Sequence, residues 1–181
     1  MSVAIALRPM RPDDADAVAA LHAASWRVAY RGIFTDRYLD DEVDAERRHA
    51  WRERLQVHPC PTDWGLVAED DAGNMLGFAY VMPAHDPDWG HYLDNLHVAP
   101  ESKGAGLGPR LMQAVAQRLP ATPPRPLFLW VLDANETAKR FYARLGAEFA
   151  DSRISDELAG ERHLVWRCVW RQLTLQLQAH E

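Results

Sequence analysis

The chain has 181 residues, 48% hydrophobic and 25% charged, with a formal net charge of −6. This length suits one compact domain over residues 1–181 and is short for two. The acidic balance excludes a dedicated nucleic-acid binder with a basic face, and the composition excludes disordered and fibrous classes.

The N-terminal run MSVAIALRP is too short for a signal peptide, and no stretch approaches the roughly 18 uninterrupted apolar residues of a spanning helix. Cys60 and Cys168 stand far apart and outside any Cys-x-x-Cys pattern. They indicate neither a disulfide framework nor a zinc site, and they place the chain in a reducing cytoplasm.

VAIALRP reads as a first strand, and Pro-Asp-Asp after it as a helix start. A helix from Ala15 to about Tyr30 carries Val18, Leu21, Ala24 and Val28 at helical spacing, and Gly32 ends it. A second helix runs from about Val43 to Val57. Its Glu46-Arg47-Arg48 cluster, like Lys139-Arg140 later, reads as a solvated face.

WGLVAED and MLGFAYVM form a hairpin across Asp-Ala-Gly-Asn. PAHDPDWG reads as a loop and HYLDNLHV as the next strand. A helix then places Leu107, Leu111, Val115 and Leu119 in one apolar stripe. LFLWVL is a strand buried on both faces. The stretch Asp133-Ala-Asn-Glu136 offers an acidic or amide cap to a helix presenting Ala138, Phe141, Tyr142 and Leu145, and Gly146 stops it. AEFADSRI and HLVWRCVW close the chain as an antiparallel hairpin. The order is βααβββαβαββ: an α/β chain with a mixed, largely antiparallel sheet and a parallel pair joined by a right-handed crossover.

The stretch VAPESKGAGLGPRLM, Val98 to Met112, passes through Gly104, Gly106 and Gly108 at the strand-to-helix junction. Free N–H groups and the positive end of a helix dipole make an anion site there, and missing Cβ atoms let phosphate oxygens approach. It is not a P-loop, since Gly-x-x-x-x-Gly-Lys-Ser/Thr is absent. It is not a dinucleotide fingerprint either, because Pro109 stands where the last glycine belongs.

Lys103-x-x-Gly106-x-Gly108 after a strand ending in Val-Ala-Pro resembles the acetyl-CoA loop of the GNAT superfamily of N-acetyltransferases. That loop reads Arg/Gln-x-x-Gly-x-Gly/Ala, so Lys103 is a departure that keeps the charge and loses the planar fork. VLDAN135ETA138KRFY142ARLGAEF resembles the family's second motif. The resemblance covers nearly the whole chain and implies a single domain whose central parallel strands splay apart.

The resemblance further implies acetyl-CoA as donor. The pantetheine arm would pair with the main chain of Leu96, His97 and Val98, and the pyrophosphate would rest on the amides of Lys103, Gly104, Ala105, Gly106, Leu107 and Gly108. Asn135 and Ala138 would border the arm, and Tyr142 would protonate the departing thiolate. The family's usual base position corresponds to Tyr92, so the general base is expected at Asp94, two residues on and on the same strand face. His91 and His97 have the opposite parity unless a bulge near Leu96 changes the phase.

Trp26, Tyr30 and Tyr92 are candidate acceptor contacts, with Phe34, Tyr38 and Trp89 as further aromatic wall. His85, His91 and His97, at six-residue intervals across a proline-containing loop, fix no coordination geometry, so no metal is expected. The implied reaction is acetyl transfer to a small primary amine, with net charge favouring a polyamine-like or amino compound. A protein N-terminus or lysine is the alternative acceptor, and a non-catalytic acyl-CoA-binding regulatory module is the alternative from another class. Homodimers occur in the family, and no membrane partner is implied.

Overall fold

The computed structural model describes residues 5–120, 124–156 and 158–172. Seven strands form one sheet in the order β1-β2-β3-β4-β5-β7-β6. They are β1 (Ala6–Pro9), β2 (Trp64–Glu69), β3 (Met75–Asp86), β4 (Gly90–Val98), β5 (Leu127–Leu132), β6 (Glu148–Ile154) and β7 (Leu164–Trp170). All neighbours run antiparallel except β4 and β5. Helices α1 (Ala15–Ala29), α2 (Val43–Arg52), α3 (Leu107–Arg118) and α4 (Glu136–Arg144) complete the expected order.

Period-two alternation sorts the strands' side chains onto two faces. Against α3 and α4 lie Ala79, Val81, Leu93, Leu129, Val131 and Cys168. Against α1 and α2 lie Val67, Phe78 and Tyr80, packed on Val18, Leu21 and Trp51. Gly77 is small because α3 crosses it closely: a Cβ there would stand 2.9 Å from the His97 carbonyl and 3.2 Å from Leu111.

Asp70 builds the β2–β3 turn, accepting from the Ala72 and Asn74 amides at 2.9 and 2.8 Å. Two differences from the sequence reading concern backbone geometry. The second helix is bounded by π-helical turns at Tyr38–Glu42 and Glu53–Val57, so regular α-helix ends at Arg52. PAHDPDWG is not a free loop. β3 continues to Asp86, with Ala84 at φ 50°, and turns directly into β4. Val3 and Ala4 of the expected first strand lie outside the described residues.

Candidate active site

The sheet opens at its parallel pair. β4 and β5 are paired only at His91↔Leu127 and Tyr92↔Phe128. From Leu93 to Val98 the β5 side of β4 has no strand beside it, which leaves the main chain of Leu96, His97 and Val98 facing a gap. Val98 is followed by a tight turn over Pro100–Ser102, whose Lys103 N–H turns back toward the Pro100 carbonyl at 3.4 Å.

Gly104 and Gly106 then take φ 85° and 72°, with nothing within 4 Å of the position a Cβ would occupy. These two glycines are demanded by left-handed backbone and leave open space outside it. Gly106 is the N-cap of α3. The first helix-closing bond comes from the Arg110 amide to the Gly106 carbonyl at 3.3 Å. The amides of Leu107 and Gly108 therefore have no intrahelical acceptor.

Gly108 has a different reason. A Cβ there would press on the Phe141 ring at 3.1–3.2 Å, so the packing of α3 on α4 by itself asks for a glycine here. Leu107 is buried in the core, and only its backbone faces the loop. Gly106→Ala should therefore cost about 1–2 kcal/mol of stability through left-handed strain and weaken acetyl-CoA binding. Gly108→Ala should cost stability with the smaller effect on affinity. Urea unfolding and calorimetric titration separate the two.

On the α4 side of the split, Asn135 caps the helix, its Oδ1 accepting from the Ala138 amide at 3.1 Å. The cap is thus the amide and not Asp133, which accepts from Trp166 at 2.8 Å and Lys139 at 3.0 Å. Tyr142 is buried against Trp170 in an edge-to-face contact, ring centroids 5.8 Å apart. Burial pushes its phenol well above the ordinary tyrosine range, and the neighbouring Tyr30, Cys168 and Tyr92 add to the shift. Tyr142 is therefore a proton-bearing phenol at every physiological pH.

On the α1/α2 side lies a partly open cavity of about 280 Å³. Trp26, Tyr30 and Phe34 wall it, Tyr92, Asp94, Asn95 and His97 enter from β4, and His22, Arg47 and Arg54 enter from α1, α2 and the turn after α2. The β4 residues converge because of a bulge. Tyr80 pairs with Asn95 and Val81 with Leu93, so Asp94 is the extra residue. The bulge shifts the phase of everything after it, and the His97 side chain joins the face of Tyr92.

Asp94 Oδ2 accepts from the Arg54 guanidinium at 2.5 Å and from the Asn95 side-chain Nδ2 at 2.6 Å. His97 Nδ1 lies 3.0 Å from Ser25 Oγ, and its ring is 4.3 Å from that of His22. Burial, together with Arg47 and Lys103, pushes His97 down to about 3. Burial pushes His22 down as well.

Both histidines stay neutral when folded but protonate when unfolded as pH drops below about 6.5. Each therefore removes stability as pH falls from about 6.5 toward its folded value, down to about 3 for His97, at up to about 1.4 kcal/mol per pH unit. Urea midpoints between pH 7.5 and 5 should fall accordingly, and His97→Gln should flatten the slope.

Three residues singled out from the sequence sit elsewhere. Tyr38 is buried in the core beneath Phe34. Trp89 lies outside the cavity, under the Arg167 guanidinium at 4.1 Å. His91 Nδ1 accepts from the Ala84 amide at 3.1 Å, so His85, His91 and His97 do not gather. Arg47, by contrast, belongs to the cavity and stacks over Trp26 at 4.6 Å, where the sequence reading placed it on a solvated face.

The sequence model of the acetyltransferase (GNAT) family matches residues 23–147. The chain belongs to that family. As a member it is an acetyl-CoA-dependent N-acetyltransferase, and the seven-stranded sheet with its parallel β4–β5 pair is the GNAT fold. A probable N-acetyltransferase of Mycobacterium tuberculosis is 29% identical over 145 residues, covering 77% of this chain and 78% of the relative. An L-methionine sulfoximine/L-methionine sulfone acetyltransferase of Pseudomonas aeruginosa is 28% identical, covering 66% and 69%. The PaiA N-acetyltransferase of Thermoplasma acidophilum, solved in complex with coenzyme A, superposes with a TM-score of 0.70 at 18% identity, covering 91% of this chain and 98% of that one.

The residues present fit the acetyl donor. The left-handed glycines leave space a Cβ would fill, and the split strands expose main chain on one side. No helix among the described residues is long and apolar enough to cross a membrane.

Proposed function

We propose that this N-acetyltransferase acetylates the primary amine of a small molecule by direct attack within a ternary complex. One observation carries the reading. The gap after Tyr92 and Phe128 has the cavity lined by Tyr30 and Tyr92 on one face and Tyr142, in the core under α3 and α4, on the other. A cleft of about 280 Å³ walled by Trp26, Tyr30 and Phe34 suits a small acceptor.

Bound acetyl-CoA supplies the activated thioester and, on transfer, a thiolate leaving group. The main chain of Leu96, His97 and Val98 would hold the pantetheine arm, and the amides from Lys103 through Gly108 the pyrophosphate. An N–H near Leu96 would donate to the thioester oxygen.

Asp94 is assigned the proton of the acceptor ammonium and Tyr142 the protonation of sulfur, while Trp26, Tyr30 and Tyr92 position the acceptor. An amine of pKa about 10.4 is neutral in only about one molecule in 2,500 at pH 7, a handicap of roughly 4.6 kcal/mol, so a carboxylate beside it matters. We further place the protein in the cytoplasm, in line with Cys60 and Cys168 both being free.

Thiol release from acetyl-CoA across amino acids, polyamines, aminoglycosides and peptides, with calorimetric binding in parallel, tests the proposal. Acceptor-dependent release by small amines is expected. Release with peptides alone would transfer the activity to a protein acceptor.

A further inference from the structure

The acceptor class can be read more finely from the cavity, on the footing that the enzyme acetylates a small amine. The chain is acidic overall, but the cavity is not. Arg47 and Arg54 line it against a single carboxylate, Asp94, and Asp94 is already paired with Arg54. The carboxylate that pairs with Arg47 belongs to Glu46, which is about half exposed and lines a different surface pocket. His22 and His97 add no charge. Arg47 thus brings a guanidinium to the cavity while its carboxylate partner lies outside the lining.

Hydrogen-bond accounting points to the same spot. Trp51 Nε1–H donates to His22 Nδ1 at 2.9 Å. A neutral imidazole that accepts at Nδ1 carries its proton on Nε2. His22 is 2% exposed, and that Nε2–H has no acceptor. Arg47 Nε is a second buried donor without a partner. Both residues pack on Trp26, the His22 ring with centroids 4.9 Å apart and the Arg47 guanidinium carbon 4.6 Å from the ring centroid. Buried donors are normally satisfied, and two on residues that share Trp26 and line one cavity point to an oxygen acceptor there.

We propose that the acceptor is an amino acid or an amino-acid-like amine, whose carboxylate is bound by Arg47 and His22 while its amine faces Asp94. A planar fork joined by an imidazole N–H is complementary to a carboxylate and offers nothing to a polyamine. His22 is thereby a binding donor, and its locked tautomer rules it out as the base.

The experiment compares kcat/KM for a panel of α-amino acids with that for each one's amide and its decarboxylated amine. The amide is a demanding control, because its amine is less basic and more often neutral. For the cognate member the acid should lead both by on the order of 10²-fold. Arg47→Gln should collapse that ratio toward one through the KM of the acid, and Arg47→Lys should restore part of it. Calorimetry supplies a readout without turnover: the N-acetylated amino acid should bind the CoA-loaded enzyme, and Arg47→Gln should lose that binding. Amides or amines equal to the acids, or an acid preference that survives Arg47→Gln, would overturn the inference and leave the small-amine reading standing. Acetyl-CoA binding with no thiol release from any member of the panel would overturn that reading and the inference together.

Discussion

Tyr142→Phe should lower turnover by about 10²- to 10³-fold with the cognate acceptor, while acetyl-CoA affinity and thermal stability stay within error of the parent. The hydroxyl makes no hydrogen bond among the described residues, and the ring's contacts with Trp170 and Phe141 survive the change. Burial raises the phenol, which in isolation would make it a poorer acid. The same apolar wall acts on sulfur: Cys168, beside it, is pushed up to about 12. A thiolate leaving against that wall is similarly poorly solvated and more basic, so what matters is the difference between phenol and thiol, not the height of either. Phenol and thiol differ by about 1.5 pKa units in water, roughly 2 kcal/mol, and common burial leaves that gap bridgeable by proximity. Burst kinetics and steady-state turnover with two acceptors provide the check. Unchanged turnover with every acceptor would reduce Tyr142 to a packing residue and leave protonation to water.

The order of strands and helices was legible because each element carries its own period. The apolar stripe of α3 and the apolar run of β5 need no tertiary information to be read. The glycine loop was legible for a related reason, since positive φ at Gly104 and Gly106 leaves few residue choices. Gly108 shows the limit of that logic. It reads like its neighbours in sequence, yet its small size answers to a ring on α4 that only the folded chain brings near.

The cavity was half legible. Trp26, Tyr30 and Tyr92 stand out as aromatics, but Arg47 and His22 do not. Arg47 sits in an Arg-rich run of α2, whose polar face ordinarily meets water. What turns it inward is the crossing of α1 and α2 over Trp26, a tertiary event without local signature. His22 lies on the buried stripe of α1 and its partner Trp51 is 29 residues away, so its tautomer is invisible to any local pattern. The phase of β4 was the other unreadable quantity. A single bulge at Asp94 decides whether His97 faces the cavity or the core, and the sequence DNLH is compatible with both.

That bulge also sets the second large expectation, for Asp94→Asn. The extra residue carries its carboxylate into the cavity beside Tyr92 and Asn95, where it pairs with Arg54, whose guanidinium lies over Trp51 and Tyr80. With the amide in its place, kcat/KM at pH 7 should fall by about 10²- to 10³-fold. The pH dependence is the sharper readout. Without a base, only acceptor that arrives already neutral can react, so the variant's rate should rise close to tenfold per pH unit until the amine's own pKa. The parent, able to take the proton from a bound ammonium, should follow a shallower curve, and the two should converge at high pH. Arg54→Gln separates the roles: it removes the ion pair and leaves the carboxylate, so a proton acceptor at Asp94 should survive it with a smaller loss. If Arg54→Gln and Asp94→Asn instead lose activity equally and in parallel across pH, the pair acts by holding the bulge in place, and the proton leaves by another route. The geometry favours the first outcome, because the carboxylate lines the cavity while keeping an oxygen beyond the one that Arg54 and Asn95 share.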